Sequence, residues 1–390
     1  MILTKRAFIF LLVTGFLFSC KQKPLPQINI YTQQTIHYKY KSPCVFEYRN
    51  GNDSIIIPAD IKRRGGISIN YLKPSYSISL HQPFSLCDLP REDDWILNAN
   101  YIDKTFMRHK LSYDLFREMD VRNIAPQCVY VIFNLNDVYN GLYVLMEKMN
   151  AKRLALNKKD SMSVIYKDPA IFREERITDV QDSSNYYQQE YPDIKTQDKS
   201  WYAQQFQDFL MYSSDSVFIK EVTGWIDVRN FIDWHLLLLF TSNGDGVVKN
   251  FFLYKQNNIV PLKIALWDYD HSFGRDGANG LNMKMDITEM HMERNILIRR
   301  LMDLNVSDYN KKLKERYFLL RKKIFTEKNI NKHIERNTKI IKPYLADNFL
   351  KWNIDGVFYK DDNDFYEEIK LMQDYVKLRL EYLDGYFNGM

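Results

Sequence analysis

Between Asn243 and Gly274 the chain reads NGDGVVKNFFLYKQNNIVPLKIALWDYDHSFG. Asp245 stands between two glycines, and Asn250 follows it after four intervening residues. Asp268 and Asp270 end an apolar stretch, just ahead of Ser272-Phe273-Gly274. Carboxylates and carboxamides are hard oxygen donors, the kind Mg²⁺ takes. Phosphoryl transfer asks a protein for such a set. One carboxylate accepts or orients the proton of the attacking hydroxyl, and an oxygen-rich group holds Mg²⁺ against the phosphates. Glycines beside Asp245 permit a tight loop and a close approach of substrate. A plainer reading makes Asp245 and Asn250 turn residues and Asp268 and Asp270 a solvated strand end. A third makes Asp268 and Asp270 the carboxylates of a metal-dependent hydrolase with an activated water.

For these groups to converge, the chain must fold back between Asn250 and Asp268. Residues 250–267 read as a β-hairpin turning at Gln256-Asn257-Asn258. Asp227 is placed to cap a helix over Val228–Phe240 that delivers the Asp245 loop. Upstream, Ile28 to Leu80 is strand-like, with alternation at Ile67, Ile69, Tyr71 and again at Tyr76, Ile78, Leu80. Asp103 could cap a helix to about Met119, with Phe106, Leu111, Leu115 and Met119 near helical spacing. Val129 to Glu147 reads as a hairpin with its turn near Asn136-Asp137. Beyond about residue 290 the pattern is helical. Ser307 and Asp364 are candidate caps, and Phe365, Ile369, Met372, Val376 and Leu380 share one face. Strands first, mixed elements next and helices last predict an α+β fold with a sheet-rich front and a helical rear.

The first twenty residues read as an address. Lys5 and Arg6 precede an apolar run from Ala7 to Phe18, too short for a span of about 20 residues. The run ends Leu17-Phe18-Ser19-Cys20, which resembles the lipobox of bacterial lipoproteins. That resemblance implies a signal peptide over 1–19, acylation of Cys20, a tether over 20–27, and a cell-envelope protein held outside the cytoplasm on a membrane surface by lipid. Loss of Lys5 and Arg6 lowers the formal charge from +5 to about +3. With 45% hydrophobic and 15% aromatic residues, the chain is neither disordered nor fibrous. The small basic surplus does not argue for nucleic acid as a partner. Residues 299–323 concentrate Lys and Arg, which reads as an anion contact or as the solvated face of a helix carrying Leu313, Tyr317, Leu320 and Ile324. Cys44, Cys87 and Cys128 allow at most one disulfide. The remaining boundaries are a sheet-rich part over 28–150, a loop-rich insertion over 151–225, a core over 226–290 with the candidate catalytic and metal-binding residues, and a helical part over 291–390.

The order Asp-x₄-Asn, hairpin, Asp, then a nearby Phe-Gly is that of a protein-kinase catalytic loop and metal-binding segment. Four blocks together resemble the CotH kinase family. They are RGGISINYLKPSYSISL (Arg64–Leu80), DWILNANYIDKTFMRHKLSYDLF (Asp94–Phe116), VIFNLNDVYNGLYVLMEKM (Val131–Met149), and the Asp245–Gly274 segment. The resemblance implies an atypical protein-kinase-like fold and transfer of phosphate from ATP to protein Ser or Thr with Mg²⁺ or Mn²⁺. It gives Asp245 the catalytic position, Asp268 a metal position, Asn250 the second metal position, and Asp270 a further candidate place there. Lys73, or alternatively Arg64, would neutralise ATP phosphates, and Glu147 would orient Lys73; Lys73 could equally be a solvated strand lysine, and Glu147 ordinary surface charge. The chain departs from the kinase pattern in lacking a G-x-G-x-x-G loop and in having Asn243-Gly244 before Asp245, and from the family's frequent pair of adjacent lysines in having Pro74 after Lys73. The alternative is a non-catalytic kinase-like surface module for adhesion or envelope assembly.

Overall fold

Apolar residues at every second position close the first part of the chain into a barrel. In the computed structural model, which describes residues 23–175, 183–285, 294–355 and 358–390, seven strands form it. They are β1 (Gln27–Tyr31), β2 (Ser42–Asn50), β3 (Asp53–Arg64), β4 (Ser75–Phe84), β5 (Glu92–Asn98), β6 (Cys128–Leu135) and β7 (Val138–Glu147). Their order is β1-β2-β3-β4-β5-β7-β6, and parallel pairing of β1 with β6 closes the ring. Inward residues such as Ile28, Phe46, Ile57, Ile61, Ile78, Trp95, Phe133 and Leu145 form one core. Their neighbours Ile96, Ile132, Val144 and Met146 face the other way, into the core of the helical half. Period-two alternation thus gives β5, β6 and β7 an apolar residue on both faces.

The β6–β7 turn falls where the sequence puts it, with Asn136 and Asp137 both at positive φ (49° and 62°), as a two-residue hairpin turn requires. The expected strand alternation at Ile67, Ile69 and Tyr71 is not there. Ile67–Asn70 is a 3₁₀ helix, and Ile67 lies exposed. The cause is Gly65, whose φ of +136° ends β3, and at which a Cβ would meet the Ser68 hydroxyl at 2.2 Å.

A second sheet has the order β11-β10-β8-β9, built from β8 (Val164–Lys167), β9 (Gln189–Tyr191), β10 (Phe251–Lys255) and β11 (Lys263–Leu266). The stretch 151–225 is therefore more than a loop-rich insertion. It supplies β8 and β9, then α2 (Ser200–Tyr212) and α3 (Asp215–Trp225), after α1 (Arg108–Met119). Its polar loops masked those short elements. Helix α4 (Val228–Thr241) is buried at every position from Asn230 onward, as befits a helix apolar all round. Asp227 caps it, its side chain accepting from the Asn230 N–H at 3.1 Å.

The rear is helical as expected: α5 (Ile296–Asp303), α6 (Tyr309–Arg321), α7 (Glu327–Ile341), α8 (Leu345–Lys351) and α9 (Phe365–Gly389). Asp364 and Glu367 form a capping box on α9. Ser307 does not cap α6. It and Asp308 make a left-handed turn before the helix, and the Asp308 side chain bonds no first-turn N–H. Several arginines of the basic run 299–323 are anchors, Arg316 to Asp233 at 2.7 Å and Arg321 to Asp384 at 2.7 Å. Cys44, Cys87 and Cys128 are all free thiols. Among the described residues no helix is long and apolar enough to cross a membrane. Residues 1–22, with Cys20 and the expected signal peptide, lie outside the described residues.

Candidate metal centre

Antiparallel pairing brings the end of β8, the start of β10 and the end of β11 to one edge of the second sheet. Each strand has a polar residue in left-handed conformation there: Asp168 (φ 50°), Asn250 (φ 63°) and Asp268 (φ 55°). Asn and Asp tolerate this region better than other non-glycine residues. Hydrogen bonds lock the corner. Asp168 Oδ1 accepts from the Asn250 N–H at 2.8 Å and the Phe251 N–H at 3.2 Å. Asn250 Nδ2 donates to the Asp268 carbonyl at 2.7 Å, and Asn243 Nδ2 reaches the same oxygen at 3.5 Å. That use of Nδ2 leaves Asn250 Oδ1 with no hydrogen bond among the described residues.

Helix α1 forms the opposite wall. His109 and Tyr113 are one helical turn apart and share a face. Tyr113 Oη accepts from the Asp268 N–H at 2.9 Å, and His109 Nδ1 accepts from the Tyr269 N–H at 2.8 Å. One ring nitrogen of His109 and one carboxylate oxygen each of Asp268 and Asp270 lie within 4.8 Å of one another. The Asp268 side chain is 53% exposed, yet it stands in a recess whose walls desolvate it. That desolvation, reinforced by the Asp270 charge, raises its pKa, with the Arg64 charge opposing. Asp270 is also desolvated, but His271 and backbone N–H groups hold its pKa low. Two neighbouring carboxylates that resist joint ionisation are relieved by a cation.

Asp245 begins a 3₁₀ turn over Asp245–Val247 and lies outside that cluster. Its Oδ2 pairs with Lys249 Nζ at 3.0 Å. Asn243 stitches its loop to the Asp268–Asp270 segment. Asn243 Oδ1 accepts from the Gly246 N–H at 3.0 Å while its Nδ2 faces the Asp268 carbonyl. Gly246 packs closely, since a Cβ there would come within 2.7 Å of the Leu238 side chain and 3.1 Å of the Asn243 carboxamide, so one of them would have to shift.

The two basic candidates part company. Arg64, the last residue of β3, lays its guanidinium over the Trp267 indole, 5.3 Å from the ring centre, and feels the Asp268 charge. Lys73 is buried away from this corner. Its Nζ donates to the carbonyls of Ala99 (2.9 Å) and Leu142 (2.5 Å) and to Asn348 Oδ1 (3.0 Å). Burial pushes its pKa well below the usual lysine value. An ammonium has three donors, and all are taken. Glu147 does not pair with Lys73. It is buried at the end of β7, where Oε2 accepts from Arg153 Nε at 2.7 Å and the Gln127 N–H at 2.8 Å.

Behind the site a buried charge network fixes the segment that follows Asp270. Arg108 Nε donates to the Ser272 carbonyl at 3.0 Å, and its other nitrogens reach Asp103 at 2.6 Å and Glu368 at 2.8 Å. Arg275 bonds Asp361 at 2.8 and 3.0 Å and also Glu368.

His109, Tyr113, Asn243 and Asp168 escaped the sequence reading. The i, i+4 pair on α1 was available as a signal, since the helix was expected. Asp168 carries none, because β8 is only four residues long and pairing with the distant β10 makes it a strand.

The candidate site is thus a corner of oxygen-bearing side chains at the strand ends of the second sheet, walled by a helix and set beside a basic side chain. Residues 61–383 match the family described as CotH kinase protein, and the chain belongs to that family. It is similar to the inner spore coat protein H of Bacillus subtilis (strain 168), 28% identical over 336 residues, covering 84% of this chain and 87% of that one.

Proposed function

We propose that the protein is a CotH-like phosphotransferase on an atypical kinase-like scaffold. In this reading it moves phosphate from ATP to a protein Ser or Thr with Mg²⁺ or Mn²⁺. The observation that carries the reading is the sheet-edge corner, where Asp268 and Asp270 share a recess with Asn250 held alongside. The donors fit the ion: two carboxylates and a carboxamide oxygen suit a hard divalent cation. Asp268, Asp270 and Asn250 Oδ1 would hold it. When bound, it neutralises charge on the phosphates. Asp245, paired with Lys249, takes the proton of the attacking hydroxyl. Arg64 meets a phosphate oxygen with donors that no protein acceptor uses among the described residues. His109 and Tyr113 hold the backbone of Asp268 and Tyr269 in place.

The test is ATP-dependent phosphorylation by the purified full-length chain with Mg²⁺ or Mn²⁺. Transfer that falls at least about 100-fold in both Asp245→Asn and Asp268→Asn is expected for residues that act in the transition state. Wild type and Asp245→Asn behaving alike defeats the reading.

We further propose that Cys20 carries lipid after loss of residues 1–19 and holds the protein on a membrane surface in the cell envelope. Cys20→Ser should then abolish acyl labelling and release the protein from membranes; unchanged labelling rejects it.

One observation favours a non-catalytic surface module instead. Lys73 is saturated and Glu147 is committed to Arg153, so the lysine–glutamate pair that serves ATP in kinases is not assembled. This alternative requires that nucleotide with Mg²⁺ leave Tm unchanged, because a ligand of the native state raises it.

A further inference from the structure

His109 sits among the candidate ligands, but its hydrogen bonding assigns it another duty. The Tyr269 backbone N–H can only donate, and it donates to His109 Nδ1 at 2.8 Å. Nδ1 therefore presents a lone pair, and the neutral ring carries its proton on Nε2. A nitrogen that bears a proton has no lone pair for a metal. Ligation through Nε2 would demand an imidazolate or loss of the Tyr269 bond. The ring is also held still. It is 4% exposed and stacks on Tyr113 with 5.8 Å between ring centres. Nε2 lies 3.8 Å from Asp268 Oδ1, beyond hydrogen-bond length, and no acceptor among the described residues takes its proton. A fixed, buried donor thus faces the recess of Asp268 and Asp270.

Resting on the proposed phosphotransferase reading, we infer that His109 is a substrate-binding residue. Its Nε2–H donates to an anionic oxygen of the nucleotide phosphates, and it does not ligate the divalent ion. The carboxylates hold the cation while the imidazole meets the anion that the cation brings, so the two opposite charges of a metal–nucleotide pair find separate partners on one wall.

The test uses full-length protein labelled uniformly with ¹⁵N, loaded with Mn²⁺ and unlabelled ATP. Electron spin-echo spectroscopy should show no directly bonded ¹⁵N on Mn²⁺. Nitrogen-resolved NMR of the same protein without metal should give the Nε2–H tautomer for His109. Neither measurement needs a variant that could misfold. His109→Asn, which keeps an acceptor for the Tyr269 N–H, should leave Mn²⁺ affinity within about twofold and weaken ATP binding about tenfold, the loss of one hydrogen bond to a charged group. A coordinated ¹⁵N, the other tautomer, or unchanged ATP affinity in His109→Asn overturns the donor role alone. Failure of the wild type to bind Mn²⁺ at all removes the phosphotransferase reading, and the donor role with it.

Discussion

Replacing Glu368 by Gln probes how the metal segment is held. Glu368 is fully buried on α9 and accepts from Arg108 Nη2 at 2.8 Å, Arg275 Nε at 3.2 Å, Arg275 Nη2, and Asn363 Nδ2 at 2.9 Å. Arg108 and Arg275 are each only 1% exposed. The amide removes the charge that both guanidiniums face and turns an NH₂ toward donors. Arg108 keeps Asp103 and Arg275 keeps Asp361, so the cost is that of the weakened charge-assisted hydrogen bonds, about 1.5–3 kcal/mol each and about 3–5 kcal/mol for the set. For 390 residues the unfolding entropy is about 0.8 kcal/mol/K, so Tm should fall by about 4–6 °C. The control is Glu367→Gln, an exposed capping-box change worth about 1 kcal/mol, or about 1 °C. Because Arg108 also holds the Ser272 carbonyl, Glu368→Gln should additionally shrink the Tm gain on adding Mn²⁺. Calorimetry of both variants, with and without Mn²⁺, reads all four values. A Glu368→Gln drop no larger than that of Glu367→Gln would refute the reasoning, since the network would then contribute nothing.

Asp120 is held at a pKa of about 2 by hydrogen bonds from Arg122, against the desolvation of its site, with Arg229 adding to the effect. A depressed carboxylate stabilises the fold above its unfolded pKa of about 4 and loses that contribution as pH falls through about 2. Asp120→Asn should therefore lose about 1–2 kcal/mol at pH 7, discounted because both arginines are half-exposed, and the gap in denaturation midpoint should close toward pH 2; a pH-independent gap contradicts this. Gly141→Ala should destabilise by about 2–4 kcal/mol, because φ is +116° and a Cβ would meet Asn348 Oδ1 at 2.8 Å; urea titration checks it, and a neutral result would mean that α8 moves freely. Lys73→Met should change ATP affinity by less than twofold, as measured by calorimetric titration, since its ammonium never faces the recess; a tenfold loss would return Lys73 to the phosphate site.

Local signals carried much of this architecture. The Asn136-Asp137 turn, the Asp227 and Asp364 caps and the 250–267 hairpin follow from neighbours within a few positions, and all are present. The hairpin is what brings Asn250 beside Asp268, so the core of the candidate centre was legible too. Failures came where distance or competition decided. β8 is a four-residue strand in a polar stretch, and only pairing with β10 makes it one. Asp168 was invisible for that reason. Ile67, Ile69 and Tyr71 alternate, but Gly65 turns the chain before a strand can form. Lys73 and Glu147 failed to meet because partners remote in sequence claimed them first, Asn348 lying 275 residues from Lys73.

Those competing claims bear on how the corner could meet an anion. To free the Lys73 ammonium, three hydrogen bonds inside the joint between barrel and α8 would have to break, and the Asn348 oxygen that also receives the Leu142 N–H would lose a partner. Each bond to a charged group contributes about 1.5–3 kcal/mol, so recruiting Lys73 would cost a large part of the fold's own stability. Arg64 needs no such release. Its planar guanidinium rests on the Trp267 face, a contact that uses the π surface and leaves the N–H edge available. Trp267 directly precedes Asp268, so in the proposed reading a phosphate drawn to a cation at the carboxylates would arrive beside that edge. In the proposed phosphotransferase the basic function therefore falls to the strand-end arginine, while the lysine serves the barrel.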